Sequence, residues 1–223
     1  MKNGKNDTVE DLSRQPDLGF LAELVTLQRL VPPGSVLLPD PGFALVRVER
    51  GIGIRYALLE DGRRQIEGLI YPGDLCGLPE CVLGEGTSYH EALTAMSVSH
   101  FDPLDVRQSR AAEQLPGQVL LWLMATESSR LSQWLVSVGQ RNAQEGIAWF
   151  VHHVWERAGM AGLIQGASAP FPFSQQVVAD VLGLSLVHTN KTMRRLRDLG
   201  LFRIASGRVE IASISRLRRA AAL

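Results

Sequence analysis

Residues Phe173–Gly200 read FSQQVVADVLGLSLVHTNKTMRRLRDLG, and this stretch decides the reading of the chain. Val178, Leu182 and Leu184 recur at helical spacing. Ala179 is small where two helices must cross closely, and Gly183 supplies the backbone freedom for a tight turn. Ser185 can cap the next helix by accepting a hydrogen bond from an early backbone N–H. That helix carries His188, Asn190, Lys191, Arg194, Arg195 and Arg197. A solvated surface helix could be equally polar, but it has no use for Ala-x-x-x-Gly ahead of it. The spacing predicts a helix-turn-helix whose second helix enters a DNA major groove.

Charge is distributed to match. The 223 residues hold 23 Lys/Arg and 23 Asp/Glu, for zero net charge. From Ser174 onward nine Lys/Arg face three acids, a net +6, while the first 173 residues carry 14 against 20, a net −6. Such a split predicts one region that meets phosphate and another that does not. The length suffices for one large or two modest domains.

Cys76 and Cys81 are the two cysteines. They cannot alone build a disulfide framework or a four-ligand metal or cluster site. Their surroundings (DLCGLPECVL) are apolar and lack a cation to lower a thiol pKa, which reads as structural burial rather than a redox pair. The longest apolar run, Val119–Ala125, is too short to cross a bilayer. The polar N-terminus lacks the apolar core of a signal peptide. These features predict a soluble, cytoplasmic protein with no membrane partner.

Residues 1–17 read as a poorly ordered tail, and Leu18–Leu30 as a short helix. From Val36 to Phe101 short β-rich runs alternate with Gly, Pro and Asp punctuation. Asp61-Gly62 is a hairpin signal because both positions tolerate positive φ. Strands at this spacing predict an antiparallel jelly-roll barrel, a sensor domain over 18–110. A long helix follows over 111–138. Within it Leu120, Met124, Leu131, Leu135 and Val138, with Trp122 and Trp134, form a stripe wide enough to pair with a twin across a dimer axis; packing on its own β domain is the plainer use. Residues 139–223 form the last domain. It opens with a helix over Arg141–Arg157 whose core face holds Ala143, Ile147, Ala148, Val151, Val154 and Trp155. His152 and His153 point in different directions on that helix, one packed and one solvated. Gly159–Pro172 reads as a loop, Leu201–Ser213 as a two-stranded wing about Ser206-Gly207, and Ile214–Leu223 as a closing basic helix. The fold class is α+β.

This layout resembles the Crp/Fnr family of bacterial transcription regulators, over nearly the whole chain from about Leu18. The most specific stretches are Ala179-x-x-x-Gly183-Leu184-Ser185-x-x-His188-x-Asn190-Lys191 and Leu196-Arg197-x-x-Gly200-Leu201. Glu60–Ile66 and Tyr71–Leu78 look like the family's strand-turn-strand and glycine-acid stretches, and Arg141-Asn142-Ala143-x-Glu145 like the start of its DNA-binding domain. The resemblance implies a homodimer on a pseudo-palindromic double-stranded operator, RNA polymerase as a partner at target promoters, and no enzymatic activity. It also implies an effector pocket at Gly73, Asp74, Leu75, Gly77, Tyr89, His90, Thr126 and Glu127.

Departures from the family pattern narrow the effector. Members that bind cyclic nucleotides hold the phosphate with an Arg-Ser/Thr-Ala stretch after the glycine-acid motif. Here Gln65–Val106 contains no Lys or Arg but seven acids: Glu67, Asp74, Glu80, Glu85, Glu91, Asp102 and Asp105. A buried phosphate facing only carboxylates would lack its countercharge. Thr126-Glu127 stands where a purine-contacting Thr-Ser pair would be. The expected effector is therefore something other than cyclic AMP or GMP, or nothing. No cysteine precedes Cys76, which removes the four-cysteine iron–sulfur site of oxygen-sensing members. His90, His100 and Met96 are the possible haem ligands but carry no distinguishing context. No cofactor and no metal are expected.

Leu186, Val187 and Lys191 stand where well-studied members present an Arg-Glu pair and another Arg. Apolar side chains pack on thymine methyl groups, and Lys191 can still reach guanine O6/N7, so an unusual half-site is predicted. His188, Asn190 and Arg194 are further base or phosphate contacts, and Arg195, Arg197, Arg203 and Arg208 supply charge. Ser174 and Gln175 should meet phosphate at the N-terminus of the first helix. Thr189, Thr192, Met193 and Leu196 are assigned to the inner face. The alternative from another class is a metal-dependent cupin-like barrel with an incidental helical tail. His90-Glu91 and His100 lack the His-x-His spacing it requires.

Overall fold

The structure, a computed structural model, describes residues 25–38, 45–79, 88–101 and 117–223. Two antiparallel sheets build the N-terminal part. One orders strands β1 (Val25–Val31), β7 (Met96–Phe101), β2 (Leu45–Arg50) and β5 (Leu75–Cys76); the other orders β4 (Arg64–Ile70), β3 (Gly53–Leu58) and β6 (Ser88–Ala92). Alternating side chains place Val46 and Val48 of β2 with Met96 and Val98 of β7 in one buried cluster, joined by Val31, Leu37, Ile70 and Ala92. Gly51 links β2 to β3 at φ +93°, and a Cβ there would lie 2.5 Å from the Ala95 carbonyl oxygen, so only glycine fits.

Two expectations about this part change. The helix read over Leu18–Leu30 is a strand where it is described: β1 pairs with β7, Gln28 opposite Ser99. Its β-branched start, Val25-Thr26, and the free edge of β7 together outweigh the helical spacing of its leucines. Residues 18–24, like the proposed tail at 1–17, lie outside the described residues. The β3–β4 hairpin does turn at Asp61-Gly62, but only Gly62 takes positive φ, at 84°. Asp61 instead accepts hydrogen bonds from the Arg63 backbone N–H at 3.0 Å and from Arg63 Nε at 2.8 Å.

Helix α1 (Gly117–Gly139) crosses beside the second sheet. Its residues divide into two faces. Trp134 and Ser137 are buried and Trp122, Thr126 and Arg130 half-buried, while Leu121, Met124, Leu131, Leu135 and Val138 are exposed. The apolar stripe is thus not the face that packs on the chain's own β domain. The Leu120 side chain and the 110/111 boundary lie outside the described residues.

Helix α2 (Ala143–Met160) starts at a reciprocal cap. Asn142 Oδ1 accepts from the N–H groups of Gln144 and Glu145, and Glu145 Oε2 accepts from the Asn142 N–H. Packed on several sides, this helix buries both His152 and His153, where a single apolar face would have left one of them solvated.

The C-terminal part holds α3 (Gln175–Leu182), α4 (Leu186–Asp198), α5 (Ile214–Ala220) and a sheet ordered β8 (Ser168–Pro170), β10 (Arg208–Glu210), β9 (Arg203–Ala205). The wing turns at Ser206 and Gly207, both with positive φ. The segment read as a loop, Gly159–Pro172, contributes β8, which pairs with β10. Three residues are too few to show a period, and only the partner strand reveals them. Arg208 secures that pairing through Nε to Ser168 Oγ at 2.7 Å and Nη2 to the Ser168 carbonyl at 2.9 Å. One buried cluster runs from Ile52, Ile54, Ile66, Leu69 and Tyr71 of the β region through α2 to α3, α4 and α5. The two halves share a core.

Candidate nucleic-acid interface and neighbouring cavity

Sequence at the turn between α3 and α4 dictates its geometry. Ser174 Oγ accepts from the Val177 N–H at 3.2 Å and Ser185 Oγ from the His188 N–H at 3.3 Å, so each helix begins on a serine cap. Gly183 takes φ 64° and, with Leu184, returns its N–H to the Ala179 carbonyl. Thr189, Thr192, Met193 and Leu196 are buried, as their spacing predicted. The opposite face of α4 exposes Leu186, Val187, His188, Lys191, Arg194 and Arg195, and Ser174 and Gln175 are exposed beside it. Val187 is 80% exposed and Leu186 beside it 42%, so the first turn of α4 presents an apolar surface. Asn190 sits at the edge of that face, half-buried, with Oδ1 unbonded. Arg208, counted among the charges for DNA, is instead engaged with Ser168.

A cavity of about 630 Å³ lies between the second sheet, the Gly73–Pro79 segment, α1 and α2. Gly73, Asp74, Leu75, Gly77, His90, Thr126 and Glu127 line it together, as the resemblance implied. Tyr89 does not. It is next to His90 on β6, and neighbours along a strand face opposite sides; Tyr89 stacks outside on Tyr56, ring centroids 5.4 Å apart.

The Gln65–Val106 window understates the positive charge at this cavity. Its cations come from outside the Gln65–Val106 window: Arg55 on β3, Arg130 on α1 and Arg157 on α2. A phosphate would therefore not face carboxylates alone. Each guanidinium is, however, already engaged. Arg55 Nη2 lies 2.5 Å from Glu127 Oε1 and its Nε 3.7 Å from Glu67 Oε2. Arg130 Nη1 lies 3.4 Å from Asp74 Oδ1, and Arg157 Nη2 pairs with Asp74 Oδ2. Three arginines and three carboxylates leave no net formal charge, so an entering anion meets no excess of positive charge. One signal for Arg130 was available in sequence, since it stands three residues beyond Glu127 on a helix. Arg55 and Arg157 carried none.

Burial and Arg55 hold the His90 imidazole down to about pKa 4. Burial and Arg157 hold His153, which also lines the cavity, down to about 3. His153 is fixed by stacking on Trp149, ring centroids 5.2 Å apart. Arg157 lies over the ring of Tyr71, whose hydroxyl pKa burial pushes up. Cys76 is buried at the cavity wall, and Cys81 lies outside the described residues. His90 and His100 sit on strands of different sheets, and among the described residues no three His, Cys, Asp or Glu side chains group to hold a metal. Among them, too, no helix is long and apolar enough to cross a membrane.

The family model of the Crp-like helix-turn-helix domain matches residues 129–220. The nitrogen fixation regulation protein FixK of Bradyrhizobium diazoefficiens is 31% identical over 179 residues, covering 78% of this chain and 73% of its own length. The chain belongs to the Crp/Fnr family. FixK of Rhizobium meliloti is also 31% identical, over 154 residues that cover 69% of this chain and 66% of that protein. The solved structure of FixK2 from Bradyrhizobium japonicum superposes with a TM-score of 0.77 at 24% identity, over 90% of this chain and 99% of that one. As a Crp/Fnr-type DNA-binding transcription regulator, the chain carries its helix-turn-helix on α3 and α4 and a cyclic-nucleotide-binding-like fold in the two sheets ahead of them. The cupin-like alternative is set aside by the same matches.

Proposed function

We propose that this Crp/Fnr protein regulates transcription as a homodimer, each protomer laying α4 in the major groove of one half of a pseudo-palindromic operator. The observation that carries the proposal is the exposed face of α4. Its first turn presents Leu186 and Val187, its second Lys191, and its last turns Arg194 and Arg195, on two capped helices with a buried inner side. Leu186 and Val187 pack on thymine methyl groups, and Lys191 donates to guanine O6/N7. His188 and Asn190 flank them, while Ser174, Gln175, Ser185, Arg194 and Arg195 hold the phosphate backbone. Two-fold symmetry comes from the outer face of α1, where Leu121, Met124, Leu131, Leu135 and Val138 await a twin.

In this reading residues 18–110 form the sensor, 111–138 the dimer helix and 139–223 the DNA-binding domain. The self-neutralised cavity takes an effector other than cyclic AMP or GMP, or none. Each guanidinium lining it already faces a carboxylate, so the lining offers a cyclic phosphate no uncompensated positive charge. The protein works in the cytoplasm, without catalysis, and acts on RNA polymerase at the promoters it occupies.

Selection of bound duplexes from a random DNA pool, with and without cell extract, tests this. A palindrome with T-rich outer positions is expected. Recovery of unrelated sequences, or of a site lacking two-fold symmetry, would overturn the reading.

A further inference from the structure

Where the β domain grips the helix-turn-helix, the contact is short and polar. Arg64, at the start of β4, donates from Nε to Asp180 Oδ2 on α3 at 2.8 Å. Next to it, Gln65 Nε2 donates to the Val181 carbonyl at 3.1 Å, one of the last carbonyls of α3 that the helix itself leaves unbonded. Neither partner of the ion pair is free to drift. Arg64 also reaches Glu91 Oε2 through Nη1 at 3.3 Å and lies over the Tyr56 ring, 5.2 Å from its centroid. Asp180 Oδ1 accepts from Gln176 Nε2 at 2.7 Å.

The next residue of β4 is tied to α1. The Ile66 carbonyl accepts the Trp134 indole N–H at 2.7 Å. Residues 64–66 therefore bind the helix that supports α4 and the helix proposed to form the dimer axis. Apolar packing against α2 also holds α3, but such packing is non-directional and tolerates sliding. The Arg64 and Gln65 bonds are directional and do not.

We propose that Arg64 is a positioning residue for operator binding: through Asp180 it fixes α3 and α4 relative to α1, and so sets the half-site spacing that the dimer accepts. This rests on the dimeric reading above. Inserting one base pair between half-sites rotates them by about 35° about the duplex axis, so a dimer with a rigid angle discriminates sharply among spacers. Loosening that angle blunts the discrimination.

The test uses the operator selected by the wild-type protein, alongside the same duplex with one central base pair added and one removed. Affinities are measured for wild type, Arg64→Gln, Asp180→Asn and the double variant. Each single variant is expected to lose spacing discrimination by about threefold or more, and the double variant to lose no more than either single, because the two act as one contact. A general weakening of the fold would lower affinity for all three duplexes by a common factor. That result, an unchanged spacing ratio, or additive single effects would overturn the inference. Failure of the wild type to select a palindrome would instead overturn the operator reading, and this inference with it.

Discussion

Asp74, in the turn before β5, pairs with Arg157 near the end of α2 across 83 residues of sequence. The same carboxylate accepts from the Tyr71 N–H at 2.9 Å and faces Arg130 at 3.4 Å. It is the joint at which the β region, α1 and α2 meet. Arg157 is 6% exposed, so removing Asp74 strands a buried charge. Asp74→Ala should destabilise the fold by about 3–5 kcal/mol, and Asp74→Asn by less, since its amide oxygen still accepts. Urea unfolding checks both; a loss of under about 1 kcal/mol for the alanine variant contradicts the assigned role.

At the proposed DNA face, Lys191→Ala should cost about 1–3 kcal/mol in operator affinity and relax preference at one base position. Arg195→Ala should weaken binding to all sequences alike and lower the salt slope of log K by about 1. Titrations of matched and mismatched duplexes at several salt concentrations separate these behaviours. Identical profiles for the two variants would mean that α4 is misplaced in the groove.

The outer stripe of α1 gives an independent prediction about assembly. Leu135 is 73% exposed in the protomer, so Leu135→Glu leaves the protomer's fold intact. In a dimer joined along α1 it places two carboxylates at the seam, where like charges repel and lose hydration. Sedimentation velocity should find monomer where the wild type is dimeric, with operator affinity falling accordingly. A variant that stays dimeric places the interface elsewhere.

Acid should destabilise the protein through its buried imidazoles. His90 titrates near 4 and His153 near 3 when folded, below the ordinary 6.5. The unfolded chain takes up these protons near 6.5 and the folded chain does not, so stability is full above 6.5 and falls with pH toward those lower values. At about 1.4 kcal/mol per unit for each group, the two together remove up to about 4 kcal/mol between pH 6.5 and 5. His153→Phe, which keeps a ring against Trp149, should cut that slope by roughly half. Unfolding free energies at pH 7, 6 and 5 measure it, and an unchanged slope would exclude His153 as a contributor.

The helix-turn-helix was legible because its determinants are local. Ala179, Gly183 and Ser185 act within a few residues of themselves, and the inner positions Thr189, Thr192, Met193 and Leu196 follow one helical period. Strand β8 and the described part of the supposed N-terminal helix were misread for the opposite reason. Ser168–Pro170 and Val25–Val31 become strands by pairing with β10 and β7, whose residues lie far along the chain. The outline of the cavity was legible only through the family resemblance, and seven of the eight residues it implied line it. Its charge was not, because Arg55, Arg130 and Arg157 converge from three separate elements.

The sequence alone determined the kind of protein: two capped helices about Gly183, a basic outer face and a wing are written in short-range spacing, where backbone sterics and capping decide the outcome. Tertiary structure alone decided how the parts communicate. Arg64 meets Asp180 across 116 residues, Trp134 meets Ile66 across 68, and the cavity arginines meet their carboxylates only after sheets and helices have packed. Such contacts depend on where a side chain ends in space, and no local period records that.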